Sequence, residues 1–181
     1  MALAQLLQYV PAGRSRREAE AIARTLRERL GETVRVIAPY RPRDGGDRAV
    51  PLVLLGPLAV LVVEPCAAEG DLVCYQDHWY ARRGTAQRRI DDAPSTRARW
   101  NAARVRSDIA TGGFMHVVID AAVVVTRGRV LDCASSCVPV LDGVEALAAH
   151  AAERCGDARE DPDKAAGLAR ALSSALLVGL G

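Results

Sequence analysis

The stretch VPLVLLGPLAVLVVEPC, residues 50–66, restricts this chain to few folds. Its apolar run is broken at Gly56-Pro57, a pair that ends one strand and turns the backbone toward the next. No segment reaches the roughly 18 consecutive apolar residues needed to cross a bilayer. The run therefore reads as two buried strands, 50–55 and 58–64, joined in a hairpin. A second apolar segment, HVVIDAAVVVTRGRVLDC (116–133), is rich in β-branched valine. It predicts another buried strand that turns at Arg127-Gly128.

Helical periodicity fills the intervals. In SRREAEAIARTLRERL (15–30), Ala19, Ile22, Ala23, Leu26 and Leu30 form one apolar stripe. Ser15 and Glu18 have capping-box spacing, and Gly31 supplies the stop. TVRVIAPY (33–40) alternates like a half-buried strand, and RPRDGGDR (41–48) is a loop. DLVCYQ and HWYARR read as a short strand pair around Asp77. Residues 93–113 predict a helix with the stripe Ala98, Ala102, Val105 and Ile109, with Ser95 as its cap. Residues 144–155 predict another helix, 156–163 a polar break, and 165–180 a final apolar helix. The order indicates one α/β domain over 1–155 with a mixed central sheet flanked by helices, followed by the 156–181 tail. That tail is expected to pack on the domain or sit at an oligomer interface.

Four features, in order over residues 14–153, resemble the nuclease-related domain (NERD) of the PD-(D/E)xK nuclease superfamily. They are the strand-Gly-Pro-strand unit LVLLGPLAVLVVE, the DHWYARR strand, the polar helix PSTRARWNAARVR, and the segment VVIDAAVVV…VPVLDGVEALAAH. The resemblance implies a restriction-endonuclease-like core and a divalent metal held by two carboxylates and a lysine. Magnesium or manganese prefers carboxylate oxygen, acidifies bound water and neutralises phosphate charge. By the same resemblance the family's aspartate falls on Pro51, its glutamate on Glu64, its lysine on Cys66, and a frequent helical glutamine on Arg97. An imino acid and a thiol are poor substitutes for a hard cation's ligands. Lys164, the one lysine, lies beyond the matched region, and Asp44 or Asp47 would have to swing in from a loop. The expectation is a pseudo-nuclease with Glu64 as remnant and no metal, the alternative being residual Mg- or Mn-dependent cutting through Glu64. Without metal, Glu64 is expected to bond a backbone group or an arginine of the following helix.

The five cysteines are odd in number and follow no secretory signal, which predicts a reduced, cytoplasmic protein with free thiols. Cys133 and Cys137, with Cys66 and a histidine, form a weak zinc pattern whose alternative is small buried side chains. Cys66 beside basic groups would be a reactive thiol. His78, His116 and His150 fall one per element, and His116, entering a buried strand, is read as structural.

Net charge is only +2, but of the 24 basic residues all except Lys164 are arginine. Residues 81–106 hold Arg82, Arg83, Arg88, Arg89, Arg97, Arg99, Arg104 and Arg106 against Asp91 and Asp92, with Trp79, Tyr80 and Trp100 in or beside the segment. Guanidinium groups grip phosphate bidentately and aromatic rings stack on unpaired bases. This predicts DNA or RNA binding through the arginines and Trp100; a solvated helix face is the plainer reading. A rival function is a protein-interaction or homo-oligomerisation module built on the C-terminal helix. No membrane partner is expected.

Overall fold

The computed structural model describes residues 12–44 and 46–156, with positions 163, 167 and 170 singly. The C-terminal helix and the tail's packing fall almost wholly outside these residues. Helix α1 (Ala12–Leu30) leads to strands β1 (Arg35–Ile37), β2 (Leu52–Leu55) and β3 (Ala59–Cys66). Strands β4 (Asp71–Tyr75), β5 (His78–Arg83) and β6 (Ala86–Ile90) form a meander, followed by helix α2 (Pro94–Thr111). Strands β7 (Val118–Val125), β8 (Arg129–Asp132) and β9 (Val140–Asp142) run into helix α3 (Gly143–Cys155). The chain is a mixed α/β domain.

Two sheets form where the sequence suggests a single mixed one. The first has the order β1-β2-β3-β7-β9, antiparallel through β3 and parallel from β3 to β9. The second has the order β6-β5-β4-β8. After Arg127-Gly128, β8 leaves its predecessor and pairs parallel with β4 instead of folding back as a hairpin. A parallel pairing so distant in sequence leaves no local signature.

The uninterrupted apolarity of β2 and β3 follows from coverage on both faces. Leu52, Leu54, Leu61 and Val63 pack toward α1 and α3 among Ile22, Leu26 and Leu147. Val53, Leu55, Val60 and Val62 point the other way, onto Ala102, Val105 and Ile109 of α2. Successive strand residues face opposite layers, so Glu64, two beyond Val62, belongs to the α2 side. Gly56 closes the hairpin against the end of α3: a Cβ there would lie 2.3 Å from the Cys155 Cβ, and the Leu58 N–H donates to the Cys155 carbonyl at 3.0 Å.

The second sheet is covered on one face only. Leu72, Cys74 and Trp79 join Cys66, Ala98, Val123 and Val125 in a third apolar cluster. The β4–β5 turn has positive φ at both Gln76 (46°) and Asp77 (66°), the backbone sense that matches strand twist in a two-residue hairpin.

Both predicted helix caps are replaced by longer-range contacts. Because α1 begins at Ala12, Ser15 lies inside the helix, and Glu18 accepts a hydrogen bond from Thr126 Oγ1 instead of closing a capping box. At α2 the N-cap position is Ala93 with Pro94 opening the helix, while buried Ser95 Oγ accepts from Trp79 Nε1 at 2.8 Å. Trp79 is fully buried and offers no ring to a ligand. His116 precedes β7 and is exposed, not seated in a strand, whereas His78 is exposed on β5 and His150 is half-buried on α3.

Candidate functional site: a closed carboxylate and an open sheet

Glu64 lies on β3, 7% exposed, facing α2. Arg97 and Asn101, one helical turn apart, meet it together. Arg97 Nε donates to Glu64 Oε1 at 2.8 Å, and Asn101 Nδ2 donates to Oε2 at 3.0 Å. Each carboxylate oxygen thus has a donor. Burial pushes the Glu64 carboxyl above its usual range, and the Arg97 guanidinium opposes that shift. Arg97 is held further by the Asp92 carbonyl at 2.6 Å and carboxylate at 3.0 Å.

Extending the β2–β3 register one step sets Pro51 across from Glu64. The position at which the resemblance puts a second carboxylate therefore faces the first, but holds an imino ring. Cys66 is 3% exposed, and burial pushes its thiol up, away from the reactivity a low value would give. Its carbonyl accepts from the Thr126 N–H at 3.0 Å. Asp44, the loop acid offered as a substitute ligand, is engaged by Arg104 through Nε (2.5 Å) and Nη2 (2.8 Å). A buried thiol, a proline and a carboxylate already bonded at both oxygens do not fit a hard divalent cation. Among the described residues no three His, Cys, Asp or Glu side chains gather as a ligand set.

The cysteines do not assemble around Cys66 either. All five are free thiols. Cys133 is half-buried, with its thiol pushed up to about 12, chiefly by burial. Cys137 is exposed, with Sγ 2.8 and 3.0 Å from the two oxygens of Asp77.

The arginine-rich segment divides in two. On α2 the side chains are engaged within the protein. Arg97 holds Glu64, and Arg99 lies 3.6 Å from Asp77. Arg104, 7% exposed, binds Asp44 and donates to the Arg48 carbonyl at 2.6 Å. Arg106 Nη2 donates to the Ile119 carbonyl at 3.1 Å. Trp100 keeps an exposed edge, but the Arg104 guanidinium sits 4.7 Å from its ring centre. Arg97, Arg99 and Arg104, three of the arginines expected to contact phosphate, thus each have a carboxylate partner within the protein.

On β5 and β6 the situation is opposite. Arg82, Arg88 and Arg89 are exposed, and no acid pairs with them among the described residues. Arg83 alone forms an ion pair, with Glu69 at 3.0 Å. Sequence reasoning missed β6, since Ala86–Arg89 are all exposed and carry no apolar alternation. It also missed the polar row of half-buried Arg97 and buried Asn101, Arg104 and Asp108 beside the apolar row of α2. The spacing of four, three and four was the available signal. Asp108 closes the row, accepting from Tyr40 Oη and from the Arg43 N–H at 3.1 Å.

No family model matches the chain, and neither curated proteins nor solved structures give a match. No helix among the described residues is long and apolar enough to cross a membrane.

Proposed function

We propose that this chain is a nuclease-related domain in which an internal Glu64–Arg97–Asn101 clasp has taken the place of metal chemistry, and that it acts by binding nucleic acid. A restriction-endonuclease-like core is supported by the ordered motifs and by the β2–β3 hairpin, which brings the Pro51 and Glu64 positions face to face. The loss of cutting is supported by the clasp, which gives both Glu64 oxygens a donor. The observation that carries binding is the unpaired trio Arg82, Arg88 and Arg89 on one exposed hairpin. A guanidinium without an internal acid is available to phosphate, and its attraction is sequence-independent.

The test is a salt titration. Fluorescence anisotropy of labelled oligonucleotides should show binding at low ionic strength that weakens as salt rises. If three arginines neutralise three phosphates, log K should fall by about two per decade of salt on a single strand. The R82A/R88A/R89A variant should lose most of that slope. Absence of binding at low salt, or an unchanged slope in the variant, contradicts the reading. Incubation of plasmid with Mg²⁺ or Mn²⁺ tests the lost chemistry. Cutting that Glu64→Ala abolishes would overturn it.

A further inference from the structure

Pairing across the second sheet determines which side chains share its uncovered face. Trp79, Cys74 and Leu72 point inward to the third cluster, so their neighbours along each strand point outward. Tyr75 and His78 are directly opposed, as are Val73 and Tyr80. Across the next pair Tyr80 opposes Arg89 and Arg82 opposes Gln87. The outward face therefore has Tyr80 at its centre. Arg89 lies beside it on β6, and Arg82 and His78 lie two residues away along β5. Tyr75 sits on the diagonal, about 7–8 Å away between Cα atoms. Tyr75 is 62% exposed and Tyr80 half-buried.

Charge on this face is graded. Toward β8 the acids are matched or bonded: Arg129 Nε donates to Asp71 Oδ1 at 3.0 Å, and the Ala134 N–H donates to Asp132 Oδ1 at 3.4 Å. Toward β6 the guanidinium groups of Arg82 and Arg89 are unpaired among the described residues. Two phenol rings thus stand on a sheet whose free edge is cationic.

We infer that this face binds single-stranded nucleic acid, with bases stacked on Tyr80 and Tyr75 and phosphates held by Arg82 and Arg89. The inference rests on the nucleic-acid reading above and specifies its ligand. A ring on a flat sheet can stack only on a base whose face is uncovered, and in a duplex those faces are hidden inside the stack. Stacking accepts any base, so sequence preference is weak, and affinity divides between a salt-sensitive arginine part and a salt-insensitive ring part. Of the rings expected to stack from sequence, Trp79, Tyr80 and Trp100, Tyr80 lies on this face and the other two are engaged within the protein. Trp79 is buried, and Trp100 has Arg104 against its ring.

The experiment compares an oligothymidylate of about ten nucleotides, within the site size of such surfaces, with a hairpin duplex of equal phosphate number. An oligouridylate arm separates DNA from RNA. The probes are titrated against the full chain and its Tyr75→Ala, Tyr80→Leu and Tyr80→Trp variants. Tyr75→Ala leaves the core untouched because its side chain is exposed, and unfolding curves establish that all variants fold. The single strands should bind at least about tenfold tighter than the duplex. Tyr75→Ala and Tyr80→Leu should each weaken single-strand binding about tenfold with the salt slope unchanged, and Tyr80→Trp should retain it. Equal binding of strand and duplex, or folded tyrosine variants that bind like the parent, overturns the inference and leaves the arginine reading standing. If neither probe binds at low salt, both fall.

Discussion

Helix α2 and the β5–β6 hairpin carry the same residue and put it to opposite uses. On α2, arginines at positions 97 and 104 point along the face that meets the first sheet and its loop, and each finds a carboxylate there. On the hairpin, Arg82, Arg88 and Arg89 are exposed and form no ion pair among the described residues; Asp71, across from Arg82, is taken by Arg129. A guanidinium inside is costly unless its donors are met, so it becomes a fixture of the fold. One outside keeps its hydration and can exchange it for phosphate. Arginine content is therefore a poor guide to binding; partners decide.

The strongest way to break this contrast is to remove an interior arginine. Arg97→Ala would leave Glu64 buried with Asn101 as its remaining donor. Breaking a buried pair costs about 3–5 kcal/mol, and the partial exposure of Arg97 lowers the expectation to about 2–3 kcal/mol in chemical denaturation. Glu64→Gln should cost less, since a neutral amide tolerates burial and still accepts a hydrogen bond. A change below about 0.5 kcal/mol for Arg97→Ala would place Arg97 with the hairpin group.

Arg104→Ala comes next, at about 2 kcal/mol, because it frees Asp44 and the Arg48 carbonyl together. The loop over residues 41–48 should gain faster amide hydrogen exchange in that variant.

The Asp44–Arg104 pair also gives a pH dependence. Hydrogen bonds from Arg104, then from the Gly46 N–H, hold the Asp44 carboxyl down at about 2, against an ordinary 3.8. A folded value below the unfolded one means that the pairing contributes stability above the unfolded value. That contribution disappears as pH falls through the folded one. The stability gap between the parent and Asp44→Asn should narrow from about pH 4 toward about pH 2. A constant gap across that interval would show that Asp44 is not paired.

The smallest expected effect sharpens the contrast most. R82A/R88A/R89A should alter unfolding free energy by less than about 0.5 kcal/mol, as exposed substitutions away from special features do. The same variant should lose most of its salt-dependent binding.

The large apolar elements were legible in the sequence for a physical reason. Buried strands and amphipathic helices repeat at the period of their own geometry, so the β2–β3 hairpin, the valine strand, α1 and the apolar row of α2 could be read directly. Glu64 was legible as anomalous, since a carboxylate within such a strand needs a partner, and an arginine from the next helix was a natural one. What escaped depends on contacts distant in sequence. The β8–β4 pairing joins positions about sixty residues apart. Glu18 reaches Thr126, a contact that local spacing disguises as a capping box. Ser95 accepts from Trp79 because β5 happens to pass the start of α2. The arginines posed the hardest case. Sequence counts them as one cluster, and only their acids, supplied by residues 44, 64, 77 and 92, divide them.

The most direct measurement is the arginine Nε–Hε region of a ¹H–¹⁵N spectrum, recorded while an oligothymidylate is added. Arg97 and Arg104 should give sharp, slowly exchanging signals that stay in place, while the Arg82, Arg88 and Arg89 signals shift with the ligand. Movement of Arg97 or Arg104 first, or stationary hairpin signals at saturating oligonucleotide, would contradict the division between arginines that hold the fold and arginines that bind.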